Sequence, residues 1–180
     1  MSAGNKTRLE VQKILIDSIS AGLAYLNETG WGIMEFANAS FIKADKIILV
    51  NLINARRIGW QAFSFPMNQQ VLGRKDEWIE EQSWQVHTLC KRVDNGAAND
   101  ARAEDVATNL VAWFNGPGCD ELRRHGVANI RIDSAQILVY NDNSNLYQKR
   151  AVFTVKIQTP KELTASQPDV EATLPKVKPV

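Results

Sequence analysis

An α+β domain, with a mostly antiparallel sheet of about five strands covered by two main helices and followed by an extended C-terminal arm, is the fold this sequence predicts. Three observations carry it. Apolar residues recur at helical spacing in two segments, five further runs are β-branched or alternate in polarity, and four of the six prolines crowd into the last 21 residues. The expected division is a domain over residues 1–159 and a proline-rich arm over 160–180.

The first helix is expected from Leu9 to Leu26, because Val11, Leu15, Ile19, Leu23 and Leu26 follow one another at three- and four-residue steps. The stretch Asn27 to Gly32 (NETGWG) is expected to end it, with Gly30 free to take the left-handed conformation that a helix stop commonly requires. Lys46 to Asn54 (KIILVNLIN) reads as a buried strand and Ile58 to Phe65 (IGWQAFSF) as a second strand paired with it. Pro66 should end the pair, and Gln69 to Lys75 reads as a polar loop. Trp78 to Val93 is a long extended segment. It places Trp84, Val86, Thr88 and Cys90 on one face and Gln85, His87 and Lys91 on the other, before a turn at Asp94 to Gly96.

Asn99 or Asp100 is expected to cap the second helix by accepting from its first free backbone donors. Ala103, Val106, Leu110, Trp113 and Phe114 supply its buried stripe, and Asn115 to Gly118 (NGPG) stops it. Asp120 to His125 reads as a short helical turn ended by Gly126. Two strands follow, Val127 to Tyr140 and Lys149 to Gln158, joined by the polar loop Asn141 to Asn145. In the last strand Ala151, Phe153, Val155 and Ile157 point inward and Arg150, Thr154, Lys156 and Gln158 outward.

A length of 180 residues suffices for a substantial core, and 44% hydrophobic with 23% charged residues is a globular composition. The chain carries 21 basic and 20 acidic residues, a net charge of +1, which excludes nucleic-acid binding by bulk charge. Cys90 and Cys119 have no zinc-like spacing and read as small buried hydrophobes. The first ten residues have no apolar segment and no window reaches a membrane span, so the expectation is synthesis in a cytoplasm without export.

Residues able to carry chemistry are sparse. His87 falls on the outward face of a strand and reads as a solvated or interface histidine, and His125 sits at a helix end where the helix dipole favours a cation. No nucleophile elbow, zinc-binding HExxH or phosphate-cradling glycine loop occurs, and the glycines at 116 and 118 end a helix instead of opening one. Asp76, Glu77, Glu80 and Glu81 alternate faces along a strand, so they do not converge on a cation. No catalytic residue, metal ligand or cofactor is expected. Basic pairs at Arg56–Arg57, Arg74–Lys75, Lys91–Arg92, Arg123–Arg124 and Lys149–Arg150 read as solvated turns and strand ends that could meet neighbouring subunits. Trp84 and Trp113 fit the core, whereas Trp31, Trp60 and Trp78 lie near turns and are candidates for protein–protein contact.

Four segments carry a resemblance: Arg56 to Gln61 (RRIGWQ), Glu80 to Leu89 (EEQSWQVHTL), the helix Ala101 to Phe114, and Tyr147 to Lys156 (YQKRAVFTVK). With the order of elements they make residues 8 to 158 resemble the tail terminator, or neck, proteins of long-tailed bacteriophages. The resemblance implies a non-enzymatic virion protein, assembled in the host cytoplasm. It would form a ring of six copies on the last ring of tail tube protein, end tube growth and present a surface to the head connector. A sheath protein would adjoin it in a contractile tail, and genomic DNA would pass through the lumen without specific contact. The arm from Thr159 departs from the family pattern.

Candidate subunit or partner contacts on this reading are Arg56, Arg57, Trp60, Arg74, Lys75, Trp78, Asn143, Tyr147, Arg150, Pro168 and Pro175. The arm is expected to lie across a neighbouring subunit or the connector, adding affinity through effective concentration. Two other readings remain open at this point. One is a head-completion adaptor of the neck that binds the portal side. The other is a small soluble enzyme using His87 with Glu80 or Glu81, which an apolar pocket with a buried, perturbed carboxylate would favour and an exposed His87 would not.

Overall fold

A computed structural model describes residues 6–35, 45–64, 67–68, 71–90, 97–141 and 147–166. It is an α+β fold in which helices cover one face of a mostly antiparallel sheet. The elements are α1 (Arg8–Tyr25), β1 (Gly32–Glu35), β2 (Lys46–Ser64), β3 (Met67–Asn68), β4 (Val71–Cys90), α2 (Ala97–Phe114), α3 (Pro117–Arg124), β5 (Ala128–Ile132), β6 (Gln136–Asn141) and β7 (Tyr147–Ser166).

Helix α1 starts at a capping box: the Thr7 hydroxyl accepts from the Glu10 backbone N–H at 3.2 Å, and the Glu10 carboxylate accepts from the Thr7 N–H. That box holds the Glu10 carboxyl below its ordinary range. The helix ends at Tyr25 with Leu26 as its C-cap, and the stretch expected to stop it does so: Asn27 takes the left-handed conformation (φ 56°) directly after the cap, and Gly30 is left-handed as well (φ 78°). Val11, Leu15, Ile19 and Leu23 are buried as the periodicity requires. Burial of each such side chain stabilises by about 1.5–3 kcal/mol.

The sheet runs β1-β2-β4-β7-β5, with β6 also on β7 and the two-residue β3 on β4. β1 pairs with β2 in parallel and every other described pair is antiparallel. The two expected strands Lys46–Asn54 and Ile58–Phe65 are not a pair. They are one 19-residue strand, β2, whose partner is β4 throughout. Residues 55–57 do not turn the chain; β2 takes up its extra residues in irregularities between Leu52 and Asn54 and between Ile58 and Ala62, the second containing Gly59 at φ 76°. The expected loop from Gln69 to Lys75 is also corrected, because β4 begins at Val71. Long strands hide such joins from a local reading, since each satisfies its backbone groups on a partner distant in sequence.

Helix α2 begins at Ala97, so Asn99 and Asp100 lie within its first turn and not at its cap. Ala103, Val106, Leu110 and Phe114 are buried with Trp84, Val86, Phe153 and Val155 in a single core. The Thr88 hydroxyl donates to the Ala103 carbonyl at 2.8 Å, tying α2 to β4. α3 begins at Pro117, three residues before the expected Asp120, because proline at the first helical position lacks only a donor that a helix start leaves unbonded. Trp113 wedges between α1 and α3: a Cβ at Gly22 would stand 2.8 Å from its Cδ1, and one at Gly118 would overlap its ring.

The single strand expected over Val127–Tyr140 is two, β5 and β6, separated at residues 133–135 and laid in succession along the same edge of β7. β7 alternates as expected, with Ala151, Phe153, Val155 and Ile157 buried. It does not stop at Gln158. Residues 159–166 continue it, paired with Gly73–Glu80 of β4, so the first part of the proline-rich segment belongs to the sheet. The Asp94–Gly96 turn, Pro66 and residues 167–180 lie outside the described residues.

Candidate interaction surface

β1 pairs only with Ile47–Val50, and β5 and β6 pair with β7 no further than Gln158. Beyond those limits the sheet narrows, among the described residues, to a three-stranded arm of β2, β4 and β7. Directly paired residues in antiparallel strands share a face, so the register assigns the paired and described arm side chains to one of two surfaces.

On the face that carries the helices, a chain of polar contacts runs outward from the core. The Trp84 indole N–H donates to Gln82 Oε1 at 3.1 Å, and Gln82 Nε2 donates to Glu80 Oε1 at 2.7 Å. Glu80 lies 3.8 Å from Arg8 and 4.0 Å from the Lys161 ammonium, which donates to the Lys6 carbonyl. Gln82 is fully buried, and the Glu80 and Lys161 side chains are 14% and 10% exposed, so this relay locks the start of α1 to the root of the arm. Further out, the Arg57 guanidinium stacks over the Trp78 ring at 4.3 Å.

The opposite face has three levels. At its root a concavity of about 590 Å³ is lined by Asn54, Arg56, Glu81, Ser83, Ile130, Arg131, Lys156 and Gln158. There Arg56 holds Glu81 at 2.8 Å, Gln158 donates to Glu81 at 3.3 Å, and Lys156 lies 3.2 Å from Asp133. The Arg56 hydrogen bond, followed by that of Gln158, keeps the Glu81 carboxyl below its ordinary range. Next come Ile58, Ile79 and Pro160, abreast on the three strands, with Ile79 42% exposed. At the outer level Lys75 bridges Glu77 at 2.6 Å and Glu162 at 3.1 Å, and those hydrogen bonds raise its pKa.

The candidates chosen from sequence divide accordingly. Arg56, Arg57, Lys75 and Trp78 are brought together on the arm, although Arg56 and Arg57 serve opposite faces. The backbones of Trp60, Arg74 and Tyr147 lie in β2, β4 and β7, while Arg150 stands half-buried at the other end of β7, level with Leu89. Asn143, Pro168 and Pro175 lie outside the described residues. Trp31, also a contact candidate, is half-buried and donates to Glu28 at 3.1 Å. Glu80 and Glu81, expected only as partners of His87 or as a solvated acidic rim, join the arm's ion pairs, as do Lys156 and Lys161, which are not among the contact candidates. The alternation of β7 marked Lys156 as outward, but the pairing of Lys161 with Glu80 spans 81 positions and leaves no local signal.

His87 corrects another expectation. It is 5% exposed, between Leu49 and Val152, which are its direct cross-strand partners and are themselves buried. Burial, followed by repulsion from Arg150, lowers its pKa to about 4. Its Nε2 lies 3.0 Å from Gln85 Oε1, whereas Glu81 stands six residues away along the strand, about 20 Å. His125 is exposed at the end of α3, 3.4 Å from Glu121. The four acidic residues split as the alternation requires, Asp76 and Glu80 facing away from Glu77 and Glu81. Among the described residues no cluster of His, Cys, Asp and Glu is placed to hold a metal ion, and no helix is long and apolar enough to cross a membrane.

No protein-family model matches this chain, and no curated protein matches it.

Proposed function

We propose that the protein is a structural subunit of a phage neck. It would assemble as a ring, of six copies on the family resemblance, that caps the tail tube and joins it to the head. The observation that carries this reading is the arm: three strands of 19 or 20 residues leave the helix-covered core together, bearing stacked, ion-paired and apolar side chains on both faces. In a ring, each subunit presents two different surfaces to its neighbours, and an arm reaching past its own core supplies one of them. Two bulges in β2 and Pro160 in β7 interrupt the outer edges of the arm, which guards a separate subunit against indiscriminate strand pairing before assembly.

The test is the mass of the purified protein across concentration and salt, with negative-stain imaging, repeated after addition of purified tail tubes. A ring with a central hole, or capping of tube ends, is the expected result. Unchanged tubes with growing ends, together with a monomer throughout, would refute the proposal.

A further inference from the structure

The concavity at the root of the arm presents hydrogen-bond donors to an anion, and we infer that it binds a small polar ligand through one oxyanion group, a phosphate ester or a carboxylate. Its floor follows from the register. Asn54 of β2, Ser83 of β4, Lys156 of β7 and Arg131 of β5 stand abreast on the helix-free face, one from each strand and about 4.8 Å apart. The next row outward, about 6.6 Å away, holds Arg56, Glu81 and Gln158.

Charge and donors decide what fits. Arg56, Arg131 and Lys156 stand with Glu81 and Asp133, which leaves one net positive charge. Glu81 is already committed: one carboxylate oxygen accepts from Arg56 Nε at 3.1 Å and Nη2 at 2.8 Å, and the other accepts from Gln158 at 3.3 Å. These bonds use two of the five N–H donors of Arg56 and hold its planar fork in one orientation. Asp133, 3.2 Å from the Lys156 ammonium, anchors that charge as well. Among the described residues no carboxylate lies within ion-pair distance of Arg131, which is exposed beside them. Ser83 lines the floor with 8% exposure, and no described residue takes up its hydroxyl.

An oxyanion seated on this floor takes charge-assisted hydrogen bonds from Arg131, from Lys156 and from the remaining donors of Arg56, with the Ser83 hydroxyl beneath it. Two of the three cations are held in place before the ligand arrives, so little side-chain entropy is lost on binding. The volume of about 590 Å³ leaves room for a ligand body beyond the anionic group. Among the described lining residues Ile130 is the one apolar side chain, so neither an aromatic base nor an acyl chain has a wall to pack against. The ligand class is therefore a polar, non-aromatic molecule with a single negative group. The site lies within one chain and does not depend on assembly into a ring.

Equilibrium dialysis of the full chain against radiolabelled inorganic phosphate at low ionic strength tests this, with glycerol 3-phosphate and succinate as competitors. Saturable binding with a Kd of about 1 mM or tighter is expected. Displacement by glycerol 3-phosphate marks a phosphate ester as the ligand, and displacement by succinate alone marks a carboxylate. Arg131→Gln should bind about tenfold more weakly and Ser83→Ala about threefold more weakly. Asp133→Asn, which raises the net charge of the site, should bind about threefold more tightly, a gain that a damaged fold would not give. Arg124→Gln, exposed on α3 and paired with Glu121, is the control and should match the wild type. Circular dichroism confirms that each variant is folded. Absence of saturable binding, wild-type affinity in both Arg131→Gln and Ser83→Ala, or no gain in Asp133→Asn would overturn the inference.

Discussion

His87 shows how one buried side chain sets a pH dependence. In the unfolded chain it titrates near 6.5, and in the fold near 4, so below pH 6.5 the unfolded state binds the extra proton. Its contribution is fully present above about pH 6.5 and is lost as the pH falls toward 4, on the order of 2–3 kcal/mol in total. Glu10, Glu28 and Glu81, whose pKa values lie below the ordinary 4.5, act beneath that window. Urea unfolding at half-unit intervals should show stability falling across that range, and His87→Gln should flatten the fall. An unchanged slope in the variant would show that another group titrates there. Gly118 makes a different prediction at the same scale. With a side chain there Trp113 must leave its slot between α1 and α3, so Gly118→Ala should cost about 1–3 kcal/mol in the same assay, with Gly22→Ala close behind. Gly116 has open space to 3.6 Å and serves as the control.

At the scale of elements, the arm's end is the informative place. Because β7 runs to Ser166, a truncation at residue 160 would strip a strand from β4 and damage the fold, whereas removal of 167–180 leaves all described pairing intact. The latter should shift the thermal midpoint by no more than about 2 °C. On the proposed function it should also weaken ring assembly or connector binding, and assembly at wild-type strength would deprive those residues of that role. The helices were readable because their stripes obey a local period, and the buried alternation of β7 was readable for the same reason. The continuity of β2, the early start of β4 and the break between β5 and β6 were not. Each depends on which strand lies alongside, and that partner comes from as far as 93 positions away in the chain, as Ser166 does from Gly73.

For the whole molecule, composition and polarity patterning determined the class of fold, the two main helices, the core residues on them and the outward basic positions of β7. These properties follow from burial of apolar surface at fixed periods, which one stretch of chain expresses by itself. Tertiary structure alone decided that His87 is enclosed, because its cover comes from Leu49 and Val152 on two other strands. It alone gathered Glu80, Lys161, Arg8 and the Lys6 carbonyl at the root of the arm. The arm itself is a tertiary fact in the same sense. Its strands outrun β1, β5 and β6 only once all are paired, and the cations at its root gather only in that register. Charge and exposure on a sheet belong to the pairing and not to any one segment of chain.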